Sequence, residues 1–418
     1  MRLRILRGAR QIGGSCVEIE AQGARLVVDL GLPLDAPDGV DPSTLLPEVS
    51  GLREPDTSLL GVLLSHGHHD HWGLLPASGD HVPVWMGEAT HRIMTAAAGW
   101  VPGVVLPRDV RHISNRKTFV LGPFEITPYL TDHSAYDAYS FLIKGDGRSV
   151  LYTGDLRAHG RKAKLFEAFV ARPPMGVDVM LMEGSTIGRS GAEAGLPTET
   201  DIEAELTEVF GAARGMVLLA ASAQNIDRMV TVFRACRRTR RTFLVDLYAA
   251  EVLRATANPN IPMVGPEWPE MALFTPRRQQ RQVKRKRAFE ALHQNAHRRV
   301  FPEDLAALAP RAVMLFRRFM LEDLEAAGCL DGATAIWSQW AGYLTQPENL
   351  ELRERLTRLG IPIRVIHTSG HASVPDLKRL ANAVAPKALV PIHTFRPEDY
   401  TRLFDNVVQR GDGEWWAI

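Results

Sequence analysis

Cysteine is scarce. Only Cys16, Cys236 and Cys329 occur in 418 residues, far apart and without a CxxC pair. That excludes a disulfide framework and a cysteine-based zinc site, and it fits a reducing compartment. No apolar run approaches the roughly 20 residues needed to cross a bilayer. The opening stretch MRLRILRGARQIGG has no apolar core of the length a secretion signal needs. A cytoplasmic protein with no membrane partner is therefore the expectation. Neither sign of charge is in excess, with 49 basic against 48 acidic side chains and a net charge of +1. A nucleic-acid partner must accordingly be sought in local patches.

What is present is enough apolar material, 45% of the residues, for a large core shared among two or three domains. The most informative stretch is VLLSHGHHDHWGLL, Val62 to Leu75. A short apolar strand runs into His66, His68, Asp70 and His71, and no core needs such a knot. Imidazole and carboxylate are the donors that zinc and similar divalent metals prefer, and crowding four of them on one turn costs desolvation unless a cation is bound. His66 and His68 alternate around Gly67 and point one way, whereas Asp70 and His71 lie past the bend and can face a second ion. The alternative is a solvated His-rich loop, which the flanking strand and turn disfavour.

Upstream, LRILRGA, SCVEIEA and ARLVVDLG read as strands joined by tight turns, the last ending at Asp29. Residues 32–58, rich in proline and acids, read as surface loop with one helical turn. His81, His91 and His112 each lack a partner at ligand spacing and read as surface or packing residues. The apolar run before Thr131 delivers Asp132 and His133 into a turn, where His133 can converge on the face of His66 and His68. SVLYT then runs into Gly154 and Asp155. A carboxylate can bridge two cations, so Asp155 is the natural shared ligand. VDVMLME ends at Glu183.

From residue 198 the pattern becomes alternating helix and strand, which means a parallel sheet. Thr200 with Glu203 reads as a capping box for its first helix. The pattern gives three segments: 1–197, an α/β insertion at 198–352, and 353–418, which carries TSGHAS and PIHTF.

The HxHxDH phrase at a strand end resembles the metal motif of the metallo-β-lactamase fold. With the insertion, the layout is similar to the β-CASP branch of that superfamily, whose members cleave nucleic acids. The phrases SGHAS and PIHTF are most like those of ribonuclease J-type nucleases. The resemblance implies an αββα sandwich interrupted by an α/β β-CASP domain. It implies two Zn2+ ions, with Mn2+ an acceptable substitute, held by His66, His68, Asp70, His71, His133, Asp155 and His393. Asp29 would support the ligand loop without touching metal, as an alternative to opening a turn with Gly31. The implied reaction is phosphodiester hydrolysis by a metal-bridged hydroxide. His371 is the general acid, Glu183 orients it, and Asp70 is the third catalytic residue. Ribonuclease J-type proteins carry a further C-terminal domain that supports dimers. A homodimer is the assembly suggested, although this sequence stops some two dozen residues after His393.

Single-stranded RNA is the favoured substrate. Ser222, Gln224 and Asn225, in a strand-to-helix turn, are candidate phosphate contacts. Ser369 and Ser373 around His371 are others, compatible with an ordinary turn and helix cap. RRQQRQVKRKR, residues 277–287, holds seven basic and no acidic side chains. Such a run is often only a solvated helix face, but on a domain expected to wall a cleft it favours phosphate. RACRRTRR at 234–241 is a weaker case, and Trp337, Trp340 and Tyr343 are candidates for stacking on a base or for core packing. Competing functions are a DNA-directed β-CASP nuclease, a small-molecule hydrolase of the same fold, and an inactive metal scaffold.

Overall fold

The computed structural model describes residues 1–37, 39–101 and 104–418. Asp38, within the proline-rich loop expected at 32–58, lies outside them, as do Pro102 and Gly103. The expected helical turn in that loop is Pro42–Leu45, capped by Asp41. No helix among the described residues is long and apolar enough to cross a membrane. The chain divides into two units, Met1–Leu196 with Gly370–Ile418, and Pro197–Ser369.

The first unit holds two sheets. One runs, in spatial order, Trp416–Ala417, Arg2–Arg7, Cys16–Ala21, Ala24–Val28, Leu59–Leu63, Val84–Gly87 and Val110–Ile113. The other runs Ala388–Ile392, Val179–Glu183, Arg148–Tyr152, Tyr139–Gly145, Phe124–Leu130 and Phe119–Leu121. Because side chains alternate along a strand, each sheet has two apolar faces to bury. Leu26, Val28 and Leu63 point into a core shared with Phe141, Ile143 and Tyr152 of the other sheet. Their neighbours Val27, Val62 and Leu64 face outward onto Trp72 and Met94 of the flanking helices. On the far side, Leu142, Leu151 and Met180 pack on Phe166, Phe169, Leu377 and Leu380 of the helices Ala163–Ala171 and Val374–Val384. Helix, sheet, sheet, helix is the layered architecture expected. The metal-motif strand and its companions end on one side of this unit, where the ligand loops collect.

The second unit is a seven-stranded parallel sheet with helices between its strands. Its central strands Val217–Ala220, Thr242–Val245, Met271–Phe274 and Ala312–Leu315 are buried throughout, as strands covered on both faces must be. Two sequence expectations differ from what forms. The first helix, Glu199–Ala212, is capped by Thr198, not Thr200: the Thr198 hydroxyl accepts from Asp201 N, and Asp201 accepts from Thr198 N. Glu203 instead turns inward, accepting from Arg238 Nε at 2.8 Å. The return to the first unit also comes later than residue 353. Ile363–Val365 pairs in parallel with Thr334–Trp337 of the inserted sheet, and the division falls after Ser369.

Candidate metal centre

Each candidate ligand sits at the carboxyl end of a strand or in the turn after it. His66 and His68 follow Leu59–Leu63, and Asp70 and His71 begin the short helix His69–Trp72. His133 follows Phe124–Leu130, Asp155 follows Arg148–Tyr152, and His393 follows Ala388–Ile392. Backbone contacts hold these turns close. Gly31 leaves no room for a side chain, since a Cβ there would meet Asp70 O at 1.8 Å. Gly154 takes a left-handed φ of +54° that aims Asp155 inward. Asp29 and His393 adopt φ of +57° and +53°, a conformation costly for residues with a Cβ and concentrated at functional sites.

The ligand atoms converge in overlapping groups: His66, His68, His133 and Asp155; Asp70, His71 and His393; and Asp155, His371 and His393. In each group they lie within 4.8 Å of one another. Asp155 Oδ2 stands 3.2 Å from His71 Nε2, 3.7 Å from both His66 Nε2 and His393 Nε2, and 3.9 Å from His133 Nε2. It is therefore central to both sets, as a bridging carboxylate would be. His371 stands 3.7 Å from Asp155 and 3.3 Å from Glu183 Oε1, measured from its Nδ1. Glu183 is buried and fixed by the amides of Leu156 and Ser185.

The other ring nitrogens are anchored by the protein. His71 Nδ1 meets Asp29 Oδ2 at 2.7 Å, His66 Nδ1 meets Ser65 Oγ at 3.0 Å, His133 Nδ1 meets Gly370 O at 2.6 Å, and His393 Nδ1 meets Ser15 Oγ at 2.7 Å. This arrangement commits each Nε2 lone pair to the centre. Asp29 also accepts from Ser65 N, Ser65 Oγ and the Tyr152 hydroxyl. It supports the loop and stands outside the ligand groups.

The donor set fits divalent cations on an observation internal to the site. His66 Nε2, His71 Nε2, His393 Nε2 and Asp155 Oδ1 are buried with no hydrogen-bond partner among the described residues. At about 1–3 kcal/mol for each unsatisfied buried group, four would cost a large share of a typical domain stability of about 5–15 kcal/mol. Coordination removes that cost.

Electrostatics agree. Burial, reinforced by neighbouring imidazoles, pulls His66 and His133 well below the ordinary histidine value, and burial takes His68 to about 4 and lowers His393. Neutral imidazoles are what metal coordination requires. Burial opposes protonation of His71 too, but Asp155, Asp29 and Asp70 outweigh it and raise the group. Burial would raise Asp155, yet His393, His71 and His371 hold it well below the carboxylate range. At His371 burial is again outweighed, here by Glu183 and Asp155, and the ring keeps its proton to higher pH.

The candidate substrate contacts fare differently. Ser373 is 2% exposed and serves as N-cap of Val374–Val384, the cap expected there, its hydroxyl accepting from Asp376 N and donating to Asp376 Oδ2. Within the second unit, Asn225 caps Ile226–Thr239, Ser222 is exposed, and Gln224 donates to the Tyr248 hydroxyl. Ser369 closes that unit. Trp337 is core, whereas Trp340 and Tyr343 are exposed and meet edge to face. Another correction is that His91 and His112 do have a partner, each other, at 3.0 Å. Sequence reasoning missed Ser15, Ser65 and Tyr152. Ser65 directly precedes the motif; the other two arrive from strands with no local signal.

A carboxylate that orients a ligand is worth a measurable amount. Asp29→Ala is expected to weaken zinc binding about 10–100-fold, read by competition with a chromogenic chelator. Asp29→Asn, which keeps an acceptor and tolerates positive φ, should lose less.

Comparison with known proteins places two domain descriptions on the chain. "Beta-lactamase superfamily domain" matches residues 37–207, and "Zn-dependent metallo-hydrolase RNA specificity domain" matches residues 358–399. Ribonuclease J of Corynebacterium glutamicum is 27% identical over 247 residues, 55% of this chain and 32% of that protein. Ribonuclease J of Mycobacterium tuberculosis is 22% identical and ribonuclease J2 of Bacillus subtilis 23%. Each alignment covers 94% of this chain, and respectively 68% and 69% of the relative. The chain thus spans about a third of the first relative's length and about two thirds of the others'. A crystal structure of an Enterococcus faecalis protein of unknown function superposes with a TM-score of 0.75 at 19% identity, over 100% of this chain and 99% of that one. That likeness establishes the fold.

Proposed function

We propose that this chain, a ribonuclease J-like member of the β-CASP branch of the metallo-β-lactamase superfamily, is a dinuclear metal-dependent phosphodiesterase that hydrolyses single-stranded RNA. The observation that carries the reading is the centring of two ligand groups on Asp155 with His371 and Glu183 beside them. His66, His68 and His133 would hold one cation and Asp70, His71 and His393 the other, with Asp155 shared; zinc suits these donors and manganese fits them too. Bound there, the pair would acidify water toward neutral pH and neutralise charge on a phosphodiester.

The rest of the work belongs to the chain. Glu183, locked by two backbone amides, accepts from His371 Nδ1 and leaves Nε2 to carry a proton toward the leaving oxygen. Glu183 and Asp155 favour the cationic ring, so His371 keeps its proton to higher pH, whereas burial favours the neutral form of His66 and His133. The environments of His371 and of the pair His66 and His133 are pushed apart in this way, which suits proton donation by the first and metal holding by the second. Asp70, partly exposed beside His71 and His393, would position water at the second cation.

The domain description naming RNA specificity and the ribonuclease J relatives support RNA over DNA. The test offers 5′-monophosphorylated, 5′-triphosphorylated and circular RNAs, and a DNA of the same sequence, to the protein with zinc or manganese. RNA hydrolysis that falls about 100-fold or more in His371→Ala is expected. Loss of circular RNA marks internal cutting. Survival of every nucleic acid while esters are hydrolysed overturns the reading.

A further inference from the structure

Residues 277–301 carry nine of the chain's 49 Lys and Arg residues and one of its 48 acids. This stretch has a net charge of +8, while the remaining residues, 40 basic and 47 acidic, sum to −7. The near-neutral whole conceals a strongly basic patch on the second unit.

The patch is built on the helix Arg277–Lys286. Its apolar contribution is small: only Gln279 and Val283 are buried, and every basic side chain from Arg277 to Arg287 is exposed. Arg277, Arg281 and Arg285 recur at i, i+4 and i+8, so like charges stack along one ridge, which destabilises an isolated helix. Two arginines also occupy the first turn, where the helix dipole disfavours cations. Acids offset little of this. Arg277 pairs with Asp323, while Arg281, Lys284, Arg285 and Arg287 have no acidic partner within salt-bridge range among the described residues. The open cavity of about 220 Å³ at the helix start is lined by Asp323 and Glu303, so the unneutralised charge lies toward the Arg287 end. There Phe289 is 47% exposed; at the other end, where Arg299–Val300 pairs with Leu273–Phe274 just ahead of the helix, Phe301 is 45% exposed and carries the Arg299 guanidinium over its ring at 5.0 Å.

Unpaired cations in a row with exposed aromatic rings beside them are the two halves of a single-strand nucleic-acid surface, one for the backbone and one for the bases. We propose that Arg281, Lys284, Arg285 and Arg287, flanked by Phe289 and Phe301, form an RNA exosite. It lies on the second unit, whereas the metal-ligand cluster lies wholly in the first. This rests on the reading of RNA as the substrate. The exosite holds the chain of the substrate by its phosphates without reading sequence, and it works without metal.

The experiment uses the full chain in EDTA, with anisotropy of a fluorescent single-stranded RNA followed across a series of potassium chloride concentrations. The variant Arg281→Gln/Lys284→Gln/Arg285→Gln/Arg287→Gln changes only exposed side chains, and its circular dichroism melt checks its folding. Its affinity should fall at least about tenfold, and the salt slope should flatten by about 3, at about 0.7 for each lost contact with a single strand. Phe289→Ala/Phe301→Ala should weaken binding severalfold with the slope kept, because stacking releases no counterions. A quadruple variant with wild-type affinity and slope overturns the exosite while leaving the nuclease reading intact. A wild type that binds no RNA with or without metal overturns both.

Discussion

Asp155→Ala is expected to abolish both metal-dependent hydrolysis and metal-dependent stabilisation. Among the described residues it is the only carboxylate within reach of both ligand groups, 3.2 Å from His71 and under 4 Å from the ring nitrogens of His66, His133 and His393. Removing it would take away the carboxylate that the two ligand groups share and leave like-polarity imidazoles facing one another. His68 Nδ1 and His133 Nε2 are already 3.1 Å apart. Hydrolysis should fall by about three orders of magnitude or more, since losing even a single preorganised electrostatic group commonly costs about 10²–10³. The second readout is independent of turnover. Zinc at a hundred times its dissociation constant stabilises the folded protein by about 2.7 kcal/mol. That corresponds to about 5–10 °C in melting temperature for a unit of this size. Wild-type protein should show the rise on zinc addition and lose it to chelator, and the variant should show neither. An Asp155→Ala protein that still shifts by the full amount would remove the residue from the centre.

How much of this centre the sequence displays depends on whether a contact is local. His66, His68, Asp70 and His71 are legible because one turn fixes their mutual geometry, so residue spacing alone encodes a ligand set. His133 and Asp155 are legible one step less directly, as donors where apolar strands end. Glu183 and His371 gain roles only through resemblance, since nothing near either residue indicates that a strand end and a turn 188 positions later meet at 3.3 Å. Ser15 and Tyr152 were invisible for the same reason: each is an ordinary strand-region residue until the sheets bring it against His393 or Asp29. His91 and His112 show the converse. Spacing left them apart, and a helix packed beside an edge strand joins them.

The inserted unit shows a different limit. IPIRVI announces a strand, and periodicity cannot say which sheet receives it, so the expected return at residue 353 missed the pairing with Thr334–Trp337. The capping box was ambiguous in the letters themselves. TETDIE offers Thr198 with Asp201 and Thr200 with Glu203, and burial decides between them. With the helix started at Thr198, Glu199 and Glu203 face inward to meet Arg228 and Arg238. The partners were the missing information: buried Arg228 for Glu199 and, at the surface, Arg238 for Glu203.

That inward turn of Glu199 carries the second large effect. Glu199 and Arg228 are 1% and 0% exposed, joined by Nη2 to Oε1 at 2.9 Å and Nε to Oε2 at 3.1 Å. Thr231 donates to the carboxylate, and Arg228 donates to Ser338 O and Oγ, tying two helices to the strand Thr334–Trp337. Burying two charges costs several kcal/mol apiece, so the pair adds little net stability while intact. Removing one partner strands the other and costs about 3–5 kcal/mol. Arg228→Ala should therefore lower the melting temperature of the second unit by on the order of 10 °C and shift its urea midpoint down. Glu199→Leu/Arg228→Met, which removes both charges and keeps volume, should recover most of that loss. If the double variant were as unstable as the single, the cost would lie in lost packing and hydrogen bonds to Ser338, and not in an uncompensated charge. Because the inserted unit and the metal-binding unit have separate cores, zinc affinity in Arg228→Ala should stay near wild type while the inserted unit is folded. The same protein would then report the stability of one unit through urea and the integrity of the other through metal.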